Sequence, residues 1–354
     1  MHMADALLSP ATGGLMTAVS AAFIGYAVKK IAGPGSGAAG NTTGAVLDEK
    51  KIPIMGVMGA FIFAGQMINF TIPGTGSSGH IGGGILLAAL LGPFPALLTL
   101  ASVLLIQCLF FADGGLLAYG CNVFNMGVTS CLLAYCFIFR PIIKKGIDRK
   151  RIILASVVSA AAGLQLGAFC VVLETLFSGV TELPFGAFVL LMQPIHLAIG
   201  IVEGLVTAAV LCYVHSARPE LLDSSIGNTP IPAAVSLRKV LVTFIALTVI
   251  VGGGLSLFAS VYPDGLEWSM EGVAGTAELE REGPVYETAG SVVETIAFMP
   301  DYGFAGDEEG SRLGTAAAGI VGSLITVILA GGIGLVIRLA GKRNAPIHSP
   351  RADA

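Results

Sequence analysis

The apolar residues of this chain fall into nine runs, separated by shorter polar or Gly/Pro-rich stretches. The runs cover residues 9–31, 51–71, 80–92, 94–112, 115–139, 152–178, 186–214, 238–261 and 312–339. A helix needs about 20 apolar residues to cross a ~30 Å hydrocarbon core. Most of the runs are that long, so the pattern predicts an all-α polytopic membrane protein. The third run is short, and Gly92-Pro93-Phe94-Pro95 breaks it from the fourth. Residues 215–237 are rich in Pro, Ser and Asp and read as a linker, with a two-span module behind it.

Basic residues orient these runs. Lys29, Lys30, Lys50 and Lys51 lie in one gap, 140–151 (RPIIKKGIDRKR) in another, Arg218, Arg238 and Lys239 in a third, and Lys342 and Arg343 in the tail. If all nine runs cross, these four regions share one side, and of the 19 basic residues only Arg281 and Arg312 fall on the other. The positive-inside rule then places the N-terminus outside and the C-terminus inside. It also makes the short third run a crossing helix. Twelve helical residues rise only ~18 Å. His80, which opens that run on the outer side, is therefore expected below the membrane surface, at the depth of Met1.

Composition agrees with this picture. Of 354 residues, 54% are hydrophobic and 12% charged, against about 25% charged in soluble domains. The 48 glycines suit close helix approach. No basic run interleaves with aromatics, so nucleic acid is not an expected partner. The six cysteines (Cys108, Cys121, Cys131, Cys136, Cys170, Cys212) lie in or beside apolar runs without a CxxC, and read as small buried hydrophobes. A cleaved signal peptide needs positive charge before its apolar core. Here Asp5 precedes the first run and Lys29-Lys30 follow it, which argues for a retained span. The loop at about 262–311 holds 12 of the 23 acidic residues and lies on the outer side with the N-terminus, as a solvated loop or a cation attractor.

Candidate chemistry begins at the chain end. Met1-His2 offers a free amine, a backbone amide and an imidazole within two residues. A metal bound by the Met1 amine, the His2 amide nitrogen and His2 Nδ1 closes two fused rings. Such rings favour a planar nitrogen set suited to Ni²⁺, Co²⁺ and, by affinity order, Cu²⁺. The amine must be neutral, and coordination promotes loss of the amide proton. His80, in NFTIPGTGSSGHIGGG, would supply a fourth nitrogen. The same residues are also read as a chance second residue and a helix-start histidine bonded to loop backbone. The residues alone leave both readings open.

Four motifs in order carry a resemblance: MHMADALLSP, QMINFTIPGTGSSGHIGGG (66–84), GCNVFNMG (120–127) and HLAIGIVEGLVT (196–207). Over roughly residues 1–215 the chain resembles the cobalt/nickel substrate-capture subunits of energy-coupling factor ABC transporters (CbiM/NikM). Residues 238–340 are similar to the small accessory subunit of those systems, whose PDGLE motif stands here as Pro263, Asp264, Gly265, Leu266 and Glu267. The resemblance implies a fusion. Residues 1–215 form a capture domain of about seven helices, 216–237 a cytoplasmic linker, and 238–354 a two-span accessory module. It implies that Met1, His2 and His80 hold Co²⁺ or Ni²⁺ as transported substrate, with no cofactor. It also implies a transmembrane coupling subunit and ATPase subunits as partners, and a place in the cytoplasmic (inner) membrane. Many family members carry Ile at position 3 and Gly at position 6; here they are Met3 and Ala6, both outside the ligand set.

Other residues are candidates for supporting roles. Asp5 and Asn69 are read as groups orienting an imidazole or the amine, or as a helix cap and an interhelical bond. Gly14, Ala18 and Ala22 form a small-residue stripe, for packing within the chain or for docking to the coupling subunit. PDGLE is read as a helix-exit turn or as a contact with the capture domain. His196 and Glu203, two turns apart on one face, are read as a buried strut ahead of a metal relay, and Asn122 and Asn125 likewise as struts. No Walker A pattern occurs, so the chain is expected to be a transporter component and not an enzyme. The competing class is an ATP-independent channel or secondary carrier using Glu174 and Glu203.

Overall fold

The computed structural model describes residues 1–32, 47–277, 279–304, 306 and 311–343. The end of the tail and parts of the acidic loop lie outside the described residues. Among the described residues, seven helices are long and apolar enough to cross a membrane. They are α1 (Pro10–Ala32), α4 (Pro93–Phe111), α5 (Tyr119–Ile143), α6 (Arg149–Ser178), α7 (Phe185–Ala217), α9 (Arg238–Phe258) and α12 (Arg312–Gly341). Large apolar side chains such as Phe177, Leu190, Val242, Leu324 and Ile328 point outward from α6, α7, α9 and α12. That is the surface expected of helices facing lipid rather than water. The chain is a multi-pass helical membrane protein.

Two further apolar helices are shorter. α2 (Lys51–Gln66) has 16 residues, and α9 and α12 of the accessory module pack directly along it. A Cβ at Gly252 of α9 would stand 3.2 Å from the Gly319 carbonyl of α12, so small residues set how closely these two helices cross.

The third predicted run is the main departure. Its helix, α3 (Gly84–Leu91), has only 8 residues, rises ~12 Å and cannot cross alone. His80 does not open it. A two-stranded hairpin precedes it, β1 (Phe70–Ile72) paired antiparallel with β2 (Ser77–Gly79), where the sequence suggested a flexible loop. His80 follows β2 in a non-helical connection, and Gly83 (φ +79°) turns the chain into α3. Irregular backbone at membrane depth is tolerated only where protein surrounds it and satisfies its polar groups. Every residue of α3 is buried, and Glu203 accepts hydrogen bonds from both Gly82 N–H and Gly83 N–H at 2.9 Å.

Two other stretches are more ordered than the sequence suggested. The linker contains α8 (Pro219–Gly227), with Leu221, Leu222 and Ile226 buried against the body. The acidic loop contains α10 (Gly265–Ala274) and α11 (Pro284–Ile296). PDGLE is therefore a helix start and not a helix-exit turn. Asp264 caps α10, accepting from Leu266 N–H at 2.7 Å and Glu267 N–H at 3.0 Å. Glu267 completes a capping box by accepting from Asp264 N–H at 2.9 Å.

Candidate metal centre

The first eight residues run into the bundle rather than away from it. Met1, Met3, Leu7 and Leu8 are all buried. Apolar side chains at positions 3, 7 and 8 draw the segment inward, and polar partners fix its backbone. Asn122 accepts from Met3 N–H at 2.7 Å and donates to the Met3 carbonyl at 3.1 Å, and Gly115 N–H donates to that carbonyl at 3.0 Å. Asp5 accepts from Ala118 N–H at 2.9 Å. Burial pushes the Asp5 carboxyl up, against the backbone bonds that lower it. Asn122 and Asp5 are thus splints for the chain end, and Asp5 turns to Ala118 rather than to an imidazole.

His2 and His80 meet. Their rings stack with centroids 5.2 Å apart and planes 18° apart. His2 Nδ1 lies 3.2 Å from Asp113 Oδ1, and its buried Nε2 has no hydrogen-bond partner. Gly114 (φ +81°) makes room for Asn122, since a Cβ there would stand 2.8 Å from the Asn122 side-chain nitrogen. Burial lowers the His2 imidazole below its usual value. His80 Nδ1 is 3.2 Å from the Ile81 carbonyl, which only accepts, so the proton sits on Nδ1 and Nε2 presents a lone pair. Burial first, then the positive chain end and His2, lower the His80 pKa to about 4. Burial thus favours the neutral form of both rings, the form a metal needs.

The Met1 amine forms an ion pair with Asp264 Oδ2. Burial alone would raise the Asp264 carboxyl, but the ammonium and the capping bonds outweigh it and hold it well below the carboxylate range. Asp264, with burial adding to it, raises Glu267 to about 7. The accessory segment also grips the hairpin that carries His80. Ser78 N–H donates to the Pro263 carbonyl at 2.8 Å, Ser78 Oγ to the Tyr262 carbonyl at 2.7 Å, and Trp268 Nε1 to the Thr75 carbonyl at 3.0 Å. Tyr302, from the same module, donates its hydroxyl to Asp113.

The structure thus brings Met1, His2, His80 and the PDGLE residues Asp264 and Gly265 to one place. Met1, His80, Asp264 and Gly265 line a cavity of about 20 Å³, measured for the centre of a water-sized sphere. That is room for one water or ion. Other candidates lie elsewhere. The Asn69 side-chain oxygen is buried without a partner, and its backbone carbonyl accepts from Ser260 N–H at 2.7 Å. Gly14, Ala18 and Ala22 are exposed on α1. Glu174 accepts from Asn125 at 2.6 Å. Sequence reasoning missed Asp113 and Tyr302. The one available signal was an acidic residue in FADGG at the end of an otherwise apolar run.

Long apolar helices surround a buried pair of stacked imidazoles and a buried amine, donors of the kind transition metals take. The family described as cobalt uptake substrate-specific transmembrane region, CbiM, matches residues 2–221, and the PDGLE domain matches residues 238–339. The chain belongs to the CbiM family of metal-uptake proteins, joined to a PDGLE domain. A relative from Archaeoglobus fulgidus that carries the name fused nickel transport protein NikMN is 32% identical over 331 residues, covering 93% of this chain and 96% of the relative. A cobalt transport protein CbiM of Geobacter sulfurreducens is 27% identical over 300 residues, 81% of this chain and 82% of that one. Among solved structures, a truncated transition metal transporter superposes with TM-score 0.51 at 29% identity, covering 61% of this chain and 99% of its own.

Proposed function

We propose that the chain is the substrate-capture component of an energy-coupling factor importer, fused to its accessory subunit, in the cytoplasmic (inner) membrane. It takes Co²⁺ or Ni²⁺ from outside on the Met1 amine, the His2 amide and imidazole, and His80, and feeds cobalamin synthesis or a nickel enzyme. Separate coupling and ATPase subunits supply the energy. The exposed Gly14–Ala18–Ala22 face of α1 is a surface on which a transmembrane partner would pack closely. The observation that carries the reading is the stacked His2–His80 pair beside a buried chain-end amine.

Loading requires two exchanges. The ion takes the amine from Asp264 and the His2 Nδ1 from Asp113, so two of the four chelating nitrogens pass from a carboxylate to the metal, while the ammonium and amide protons are released and the imidazole proton moves to Nε2. Against a carrier path through Glu203 stands its use of both oxygens on the Gly82 and Gly83 amides.

Inserting one alanine between Met1 and His2 keeps every side chain and breaks the fused rings. Ni²⁺ affinity of the purified chain, with its N-terminus unblocked, is expected to fall by at least about 100-fold. Unchanged affinity would overturn the chelate. Competition between Co²⁺ and Ni²⁺ in the same assay ranks the two cargoes.

A further inference from the structure

His196 and Glu203 sit two turns apart on one face of α7, and the structure separates their roles. Glu203 is fully employed, holding the two amides that follow the His80 connection. His196 is not. Its Nδ1 lies 2.8 Å from the Met192 carbonyl one turn earlier, so Nδ1 carries the proton and Nε2 keeps its lone pair. The residue is 1% exposed, and Nε2 has no hydrogen-bond partner within the chain. A buried polar atom left unpaired is costly, and such atoms call for an explanation.

The surroundings supply one. His196 lines the same cavity as Met1, His80 and Asp264. Its ring edge packs against Gly265 of PDGLE, where a Cβ would stand 3.0 Å from Cε1 and 3.3 Å from Nε2. Glycine at 265 therefore lets the imidazole lie at this wall. An imidazole whose Nδ1–H is tied to a backbone carbonyl, presenting Nε2 to a small space, is built as metal-binding histidines are built. Borderline divalent ions such as Ni²⁺ and Co²⁺ suit that donor.

We propose that His196 Nε2 binds the cargo ion within this cavity, as a second station beside the Met1–His2–His80 chelate. This rests on the capture reading above. The ion meets His196 before the four-nitrogen set is complete, and passes from it to that set. His196 acts on the rate of loading more than on the affinity of the loaded state.

The test uses the full chain with an unblocked N-terminus and Ni²⁺ as the probe. Its single tryptophan, Trp268, lies on α10 next to the cavity wall, so quenching of its fluorescence reports loading at one place. His196→Asn retains a side-chain N–H for the Met192 carbonyl and lacks Nε2. The expected result is a loading rate about 10-fold slower with affinity changed less than about 3-fold. In a His80→Asn background, where the chelate is crippled, adding His196→Asn is expected to weaken the residual binding a further 10-fold or so. Should His196→Asn not fold, His196→Gln carries the same readouts. Wild-type loading rates together with identical binding by His80→Asn and the double variant would overturn the station. Wild-type affinity in His80→Asn alone would instead overturn the capture reading, so the two failures are distinguishable.

Discussion

The two ends of the helical bundle use polar groups in opposite ways. At the end away from Met1, Lys50, Arg140 and Asp48 are bonded to backbone of the linker. Lys50 Nζ donates to the carbonyls of Pro232, Ala233 and Val235 at 2.7–2.8 Å. Arg140 donates twice to the Ile226 carbonyl at 3.0 and 3.2 Å, and Asp48 accepts from Ile231 N–H at 2.7 Å. These bonds fasten the linker and α8 to the body. At the N-terminal end, two buried imidazole nitrogens have no partner, and a buried amine is held by a carboxylate 263 residues away. Saturated groups hold a fold together. Groups that are buried and incompletely satisfied mark where a ligand completes them.

The largest expected effect tests whether the Met1–Asp264 pair belongs to the unloaded state. Asp264→Asn leaves a buried ammonium without its counter-charge, and breaking a buried pair from one side costs about 3–4 kcal/mol. Once metal is bound the amine is neutral and the loss largely disappears. Thermal unfolding should therefore show a marked fall for the metal-free variant and a larger Ni²⁺-induced rise than in the wild type. An equal fall with and without metal would make Asp264 a plain structural cap, like the groups at the other end.

Acid should reach the N-terminal end next. The His80 pKa is about 4 in the folded chain against 6.5 when unfolded, so the unfolded state takes up the proton first. Stability from this group is complete above pH 6.5 and is lost as pH falls from there toward 4, by about 3 kcal/mol. The lowered His2 imidazole acts in the same direction. Denaturant titrations of the metal-free protein should show this loss, and His80→Asn should shrink it. A loss of full size in that variant would place the acid sensitivity elsewhere.

Legibility in the sequence followed the same division. Seven long helices were readable because an apolar run of membrane length has one stable outcome. Lys50 and Arg140, members of the basic clusters that assign a side to each gap, are groups that here clamp the linker. That Met1, His2 and His80 are candidates was readable because adjacent residues offer a possible chelate and the Gly-rich motif a partner for it, and the structure stacks the two imidazoles. What could not be read are pairings across distance. Asp113 to Tyr302 spans 189 residues, and neither lies in a periodic pattern. The hairpin around PGTG looked like loose Gly/Ser chain because its strands have three residues each, and much of what steadies it comes from Tyr262, Pro263 and Trp268. Glu203 holds the Gly82 and Gly83 amides, partners the sequence could not name, since seven-residue spacing shows a shared helical face but not what that face meets.

The smallest expected effect sharpens the comparison from its other side. Lys50→Met removes three hydrogen bonds at the far end, but they are partly solvated and water can replace the ammonium at each carbonyl. The net loss of stability should be only about 1 kcal/mol. Ni²⁺ affinity and loading rate should not move, because α2 runs from Lys51 to Gln66 between Lys50 and the Gln66–Gly82 contact near the site. If this substitution changes affinity more than about 3-fold, roughly 0.7 kcal/mol, the two ends are energetically coupled through α2. The clamp would then be part of how the cargo site is tuned, and saturation of a polar group would no longer suffice to call it structural.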